Sequence, residues 1–452
     1  MGWYKGMRKG ARSAKVFHRR NARADFARTA PPRVGYVTQW YPPEPAGVAA
    51  SVAQSLNKRG FELRVYTGIP HYPSGKVTSG YRAWKPTAEV SNGIAVHHYP
   101  EFPYRGRGVL GRFVGYASFA LASTVGAMRH LRHDDVLLVY SSPATTAFPA
   151  LVARLVFGTP FVLHVQDIWP DSVLNSGFIE KSLIAKVINL ALTRFVNLTY
   201  WAADHIVTIC PGAKEMLVAR GVPPEKISTI YNWLDDTITP SSLVGDAEEQ
   251  RRNLHRQFDI PTGATIYLYA GNFGPAQNLE ALVEGFDSAG LGEGHHLVLV
   301  GDGVSKENVQ SMAASLAQVH VYPRVDSETA AAMTLAADVS IVSLASDPLF
   351  EATFPSKLQT ITRLGRPILG VLAGDGANFV QNWKLGHVAE PDDVQSIAQA
   401  FKSFSIADAE ELTAMARSSL EASETELSEE SGGAKLADLL RSAVVPEKEI
   451  QA

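Results

Sequence analysis

The stretch DVSIVSLASDPLFEATFPSKLQTITRLGRPILGVL (Asp338–Leu372) decides the fold class. Its first part, Asp338 to Ala345, is a short apolar-polar stretch of strand length. A helical stretch follows from Pro-Ser-Lys, and PILGVL returns as a second short apolar run. Strand, helix and strand in that order read as a βαβ unit, whose two strands lie parallel. Pro355, Ser356 and Lys357 stand where the helix begins. A helix start leaves backbone N–H groups unpaired and carries a partial positive charge. Ser356 is a good N-cap type, Pro355 fixes the approach of the chain, and Lys357 adds a full charge. Two readings stay open at this point: a phosphate site, or a plain capped helix.

Outward from this stretch the same rhythm fills the chain. RVGYVTQW, ELRVYTG, IAVHHYP, DVLLVYS, PFVLHVQD, HIVTIC and ISTIYNW alternate with helical runs up to about residue 235. After the charged stretch EEQRRNLHRQF a second series begins: TIYLYAG, HLVLVGDG, HVYP, DVSIVSLA and PILGVL. Short strands alternating with helices predict doubly wound parallel sheets. The expected organisation is α/β with two Rossmann-like domains facing across a cleft, 33–235 and 236–424. A basic tail (1–32) precedes them, and a C-terminal helix (425–452) crosses back to the first.

At 452 residues the chain is too long for one ordinary core. A single cysteine, Cys210, excludes an internal disulfide framework and suits a reducing cytoplasm. The net charge of −3 hides an asymmetry. Residues 1–30 hold nine Lys and Arg and one acid, leaving 33 basic and 44 acidic residues, a body near −11. A basic tail on an acidic body argues against a general nucleic-acid binder. The tail suits either an anionic lipid surface or a solvated arm, and it lacks the apolar core of a signal peptide. GVLGRFVGYASFALASTVGAMRHLR (Gly108–Arg132) has 16 uncharged residues between Phe113 and Met128, short of the roughly 20 that span a bilayer. It reads as a core helix or an interfacial one, with Arg105, Arg107 and Arg112 at its start.

In open α/β sheets ligands sit beyond the carboxyl ends of strands, so the strand-to-helix loops hold the candidate residues. The first loop offers Pro45-Ala46-Gly47, and a later one Gly301-Asp302-Gly303. Neither completes G-x-G-x-x-G, which disfavours a nicotinamide dehydrogenase. YAGNFGPAQNLEALVEGF (Tyr269–Phe286) has a Gly-rich loop with Gly271, Asn272 and Gly274 that suits a phosphate, a sugar or a simple turn. HVQDIWPDS sets Asp167 at a strand's carboxyl end, with Asp171 as a solvated loop acid or N-cap. A metal set of His164, Asp167 and Asp171 matches no standard spacing, and no strand ends in Asp-x-Asp. No metal or other cofactor is therefore expected.

Taken together, YPPEPAGVAASVAQSLNKRGFEL, TGIPHYPSGKV, VLHVQDIWPDS, ISTIYNW, YAGNFGPAQNLEALVEG, LVGDG and FPSKLQTITRLGRPIL run in one order from about residue 33 to 372. In that order the chain resembles the retaining glycosyltransferases of family 4, with the GT-B fold, of the bacterial O-antigen and colanic-acid type. The resemblance implies metal-independent transfer from a nucleotide-diphosphate sugar, UDP- ahead of GDP-, to a polyprenyl-linked saccharide at the inner face of the cell membrane. It places Gly47, Asn272, Gln277, Glu351, Pro355, Ser356 and Lys357 around the donor. Lys357 and Asp167 take the catalytic roles, and His71 lies on the acceptor side. Many members carry Arg and Lys where this chain has Asn272 and Gln277, and a His where it has Gln166. The family's paired Glu positions fall at Ala352 and Thr360, with Glu351 beside the first. A nucleotide-sugar 2-epimerase and a non-catalytic GT-B binding protein stay open as alternatives.

Overall fold

The structure is a computed structural model that describes residues 31–104, 106, 109–171, 183–234 and 247–444. The basic stretch 1–30, Arg105, Arg107, Ser172, the joining stretch 235–246 and the tail from 445 lie outside the described residues. The chain divides into two compact units, Met1–Asn232 with Glu429–Ala452, and Trp233–Ser428.

In the first unit β1 (Arg33–Val37) is followed by α1 (Gly47–Lys58) and β2 (Glu62–Gly68). Then come β3 (Thr87–Ser91), β4 (Ile94–Tyr99), α2 (Val109–Leu131), β5 (Val136–Ser141) and α3 (Phe148–Phe157). β6 (Phe161–Val165), α4 (Leu183–Ala202), β7 (His205–Thr208), α5 (Pro211–Ala219) and β8 (Ile227–Thr229) complete the series. The eight strands form one sheet in the order β3-β4-β2-β1-β5-β6-β7-β8. All neighbours are parallel except β3 and β4, which run antiparallel. Helices cover both faces of such a sheet, so its central strands are mostly apolar, as in β6, which is buried along its whole length.

The second unit opens with α6 (Ala247–Gln257), β9 (Thr265–Asn272), α7 (Leu279–Ala289), β10 (His295–Asp302) and α8 (Lys306–Ala313). β11 (Val319–Tyr322), α9 (Ser327–Ala336), β12 (Val339–Ser343), α10 (Pro348–Glu351), α11 (Ser356–Arg363) and β13 (Ile368–Val371) follow. α12 (Gly374–Asn382), β14 (Gly386–Ala389), α13 (Val394–Ile406) and α14 (Ala409–Glu424) end it. Its six strands are ordered β11-β10-β9-β12-β13-β14, every pair parallel. The crossover direction reverses between β9 and β12, and the same reversal falls between β1 and β5 in the first unit. Where the direction reverses, adjacent loops part at the carboxyl ends of the strands and leave a crevice.

The final helix, α15 (Glu429–Val444), belongs to the first unit and packs on α1. Leu436, Ala437 and Leu440 are buried, and Arg59 pairs with Glu429 and, at 2.8 Å, with Glu430. Two acids in the first turn of α15 also complement its helix dipole.

Two strands escaped the sequence reading. TAEVS in β3 is short and largely exposed, and GHVA in β14 is too brief to show a period. The first unit's sheet is accordingly mixed at one edge rather than wholly parallel. The apolar α2 is divided: Phe119, Ala120, Ala127 and Leu131 enter the core, while Leu121 and Val125 stay 58% and 80% exposed. Its apolar residues are therefore divided between the core and the exposed side.

Candidate functional site

The crevice of the second unit is lined from β9. Tyr269 and Gly271 lie two residues apart and share one side of the strand. The Lys357 ammonium rests 3.5 Å from the centre of the Tyr269 ring. A Cβ at Gly271 would come within 2.3 Å of Lys357 Nζ, so the missing side chain is what admits the lysine. The Tyr269 hydroxyl donates to the Asn272 carbonyl at 2.7 Å, and Asn272 Nδ2 donates to Gln277 Oε1 at 3.2 Å. Ser343, at the end of β12, donates to the Gln277 carbonyl at 2.6 Å. One connected set thus brings Asn272, Gln277 and Lys357 together where β9 and β12 part.

The Gly301–Gly303 turn braces this loop. Phe273 N–H donates to the Asp302 carbonyl at 2.9 Å, and Ser305 N–H returns to the Phe273 carbonyl at 2.9 Å. A Cβ at Gly303 would meet the Phe273 backbone, its carbonyl oxygen at 2.2 Å. The Asp302 carboxylate accepts from Gly303 N–H and lies 3.6 Å from Lys306. It is therefore already engaged.

Lys357 has no carboxylate or hydrogen-bond acceptor among the described residues, only the Tyr269 ring. Burial without compensation pushes its pKa down from 10.5 to about 7. The helix start differs from the sequence expectation in one respect. Pro355 is the N-cap of α11 and Ser356 its first helical residue, so the capping role assigned to Ser356 is not its own. Pro355 has no side-chain acceptor to offer, and no side chain caps the helix. The Ser356 and Lys357 N–H groups thus point out of an open helix end beside an ammonium, an arrangement that takes an anion. Glu351 ends α10, exposed, and its backbone sits where a Cβ at Gly374 would fall, 2.1 Å from the Glu351 carbonyl oxygen. Ala352, where a carboxylate would stand in the family, is buried.

In the first unit Gly47 starts α1 in open space, with nothing within 4 Å of a Cβ placed on it. Packing within the unit does not call for a glycine here; close approach by a ligand would. Asp167 is exposed just beyond β6 and accepts from Ser142 Oγ at 2.6 Å. Gln166 turns instead to Asn232, whose Nδ2 donates to its Oε1 at 2.7 Å. The carboxylate of Asp171 pairs with Arg220 and stays partly exposed, so it is not a free ligand. His164 is walled into the core with both ring nitrogens unpaired, and burial lowers its pKa to about 4. These residues do not converge, and among the described residues no three His, Cys, Asp or Glu gather as a metal set.

His71 is buried rather than on the surface. Its Nδ1 lies 3.0 Å from the Ile69 carbonyl, which assigns the proton to that nitrogen and leaves Nε2 facing Glu101 at 3.8 Å. Glu44 accepts the His71 and Tyr72 backbone N–H groups at 2.8 and 2.7 Å, fixing the loop. Burial raises Glu44 to about 7 despite those bonds, and holds Glu101 well above the usual carboxylate range. Sequence reasoning missed Glu44, Glu101 and Tyr269. Each stands in an apolar or Pro-rich stretch where nothing local marks it.

Two family models match the chain in succession: the glycosyl transferase 4-like domain over residues 45–233, and glycosyl transferases group 1 over residues 250–419. The chain belongs to the family 4 glycosyltransferases of the GT-B fold. This glycosyltransferase is 29% identical over 332 residues to WcaI of Escherichia coli K12, which bears the name of a colanic acid biosynthesis glycosyl transferase. That match covers 72% of this chain and 79% of WcaI. It is 23% identical over 296 residues to WbjE of Pseudomonas aeruginosa, which bears the name of a glycosyltransferase, covering 64% of this chain and 71% of WbjE. Among solved structures, Anabaena HepE in complex with UDP-glucose superposes with a TM-score of 0.63 at 14% identity, over 91% of this chain and 99% of HepE. WaaG, a glycosyltransferase involved in lipopolysaccharide biosynthesis, gives 0.58 at 14% over 90% and 99%. At such identities these two structures speak for the fold of this glycosyltransferase alone.

Proposed function

We propose that this glycosyltransferase moves a sugar, with retention, from a nucleotide-diphosphate sugar to a lipid-linked saccharide in the synthesis of a surface polysaccharide. UDP is the preferred base carrier over GDP, and no metal takes part. The observation that carries the donor reading is the uncompensated ammonium of Lys357 beside the open start of α11. A diphosphate supplies the acceptor oxygens that this corner lacks, and Asn272 and Gln277 add amide donors at the same place. HepE has been solved with UDP and with UDP-glucose, and the name of WcaI refers to colanic acid, which supports UDP as carrier and polysaccharide as product class.

In the reaction the bond between the anomeric carbon and the diphosphate oxygen breaks. A bond to the acceptor hydroxyl forms on the same face, and the hydroxyl proton passes to the departing diphosphate. Charge grows on that leaving group. Lys357 and the N–H groups of Ser356 and Lys357 are assigned to hold it, with preorganised donors carrying most of the rate gain. Asp167, exposed and steadied by Ser142, is assigned to the acceptor side. Gly47 would let the diphosphate approach the start of α1.

A lipid-linked acceptor calls for contact with the inner face of the cell membrane, so the protein is proposed to be cytoplasmic and peripheral. Among the described residues no helix is long and apolar enough to cross a membrane. Leu121 and Val125 on α2, with Leu155 and Val156 on the neighbouring α3, are exposed apolar side chains suited to an interface.

Calorimetric titration with UDP and GDP in metal-free buffer tests the reading. UDP binding that weakens in Lys357→Ala supports it. An absence of binding by either nucleotide would sink it. The anomeric configuration of the product, read by NMR, tests retention separately.

A further inference from the structure

A lysine drawn inside a protein ordinarily ends on a carboxylate, a carbonyl or water. Lys357 ends on a ring instead. Its Nζ lies 3.5 Å from the centre of Tyr269, and no ion pair or hydrogen bond reaches it among the described residues. The ring itself is fixed. Tyr269 stands on β9 between Tyr267 and Gly271, all three on one side of the strand. It is wholly buried and packs against Phe273, with the ring centres 6.1 Å apart. At its far end the hydroxyl donates to the Asn272 carbonyl at 2.7 Å. Burial holds that hydroxyl well above its ordinary pKa, so the ring stays neutral and brings no negative charge to the corner.

The choice of a ring rather than a carboxylate matters for an anion site. A carboxylate would cancel the ammonium and repel a diphosphate, which could bind only by breaking an ion pair. A ring face attracts the ammonium through its quadrupole and leaves the charge whole. Lysine also carries that charge on a flexible four-carbon stem, which a ligand would otherwise have to order. A stem already laid over a fixed ring loses less freedom on binding. Gly271 leaves the room for it: a Cβ there would lie 2.5 Å from Lys357 Cε.

We propose that Tyr269 is a positioning residue for the donor, its ring holding the Lys357 ammonium in place for a nucleotide diphosphate without neutralising it. The inference rests on the donor reading above and adds to it a residue that acts through Lys357.

The test is a double-mutant cycle on the full chain, read as UDP affinity by calorimetry, or as GDP affinity where GDP is the nucleotide bound. Tyr269→Leu should lower affinity about fivefold or more, the size of a desolvated cation–ring contact. Tyr269→Phe keeps the ring and should stay within about twofold of the parent, whereas in a Lys357→Ala background Tyr269→Leu should change affinity by less than about twofold. Tyr269 is in the core, so if Tyr269→Leu does not fold, Tyr269→Met takes its place with the same expectation, being unbranched and able to fill the space. Three results overturn the proposal: parental affinity in Tyr269→Leu, a Tyr269→Phe variant as weak as Tyr269→Leu, or a loss in Tyr269→Leu that is as large without Lys357 as with it. The ring would then serve packing alone. A parent chain that binds neither nucleotide removes the donor reading and this inference with it. A loss in Lys357→Ala with none in Tyr269→Leu leaves the donor reading standing and removes only this one.

Discussion

Lys357 gathers the chemistry of the second unit because its surroundings hold the charge without answering it. The aromatic ring of Tyr269 offers a modest attraction, in the range of about 0.5–2 kcal/mol for such contacts, and burial works against it. With a pKa near 7, the side chain is charged at acid pH and neutral above. An anion binds the charged form and raises its pKa. Above pH 7 binding must therefore take up a proton, and affinity for UDP or GDP should fall by up to tenfold per pH unit between pH 7 and 9. Calorimetry in two buffers of different ionisation enthalpy reads the proton uptake directly, and Lys357→Ala should abolish it. The same variant should weaken nucleotide binding by roughly 1.5–3 kcal/mol. An unchanged affinity would remove Lys357 from the site. Gly271→Ala probes the same corner from below. Its Cβ would strike the flexible end of Lys357, so the lysine should move while the fold holds. Nucleotide affinity should drop with little change in melting temperature, and a large loss of stability would mean that the glycine serves packing.

At the scale of elements, α15 is the clearest case of a contact that one residue controls. A Cβ at Gly433 would lie 2.1 Å from Ser55 Oγ and 2.9 Å from the Arg59 guanidinium carbon. Gly433→Val should therefore push α15 off α1 and cost about 1–3 kcal/mol in chemical denaturation. A variant as stable as the parent would show that the helix re-seats without loss. The elements also divide into those that could be read and those that could not. The strands PFVLHVQD, TIYLYAG and DVSIVSLA were legible because strands buried on both faces are written as predominantly apolar, β-branched-rich runs. Exposed TAEVS and four-residue GHVA carry no such signal. Lys357, Asn272 and Gln277 were legible as loop and helix-start residues. Their meeting point was not, because it depends on Tyr269 and Gly271, and a tyrosine and a glycine alternating along a strand look like core and turn. Glu44 and Glu101 were hidden for a related reason: a carboxyl buried by long-range packing leaves no mark in the residues beside it.

At the scale of the whole molecule, the proposed lipid-linked acceptor asks how an acidic body would reach a membrane surface. Two features bear on it and are separable. The charge on residues 1–30, nine Lys and Arg against one Asp, would act through the field of an anionic surface, worth about 1 kcal/mol per basic residue near it and weakened by salt. The exposed Leu121 and Val125 of α2 would act through burial of apolar surface, which salt does not weaken. Sedimentation with vesicles of phosphatidylglycerol and phosphatidylcholine distinguishes the two. Removing residues 1–30 should lower binding to the anionic vesicles at low salt and lose its effect as salt rises. Leu121→Ser with Val125→Ser should lower binding at every salt concentration. Neither change should alter UDP affinity, because neither touches Gly47, Asn272, Gln277 or Lys357, the residues assigned to the donor. Equal vesicle binding by all three proteins would mean that neither the tail nor α2 carries membrane binding, and would count against the proposed lipid-linked acceptor.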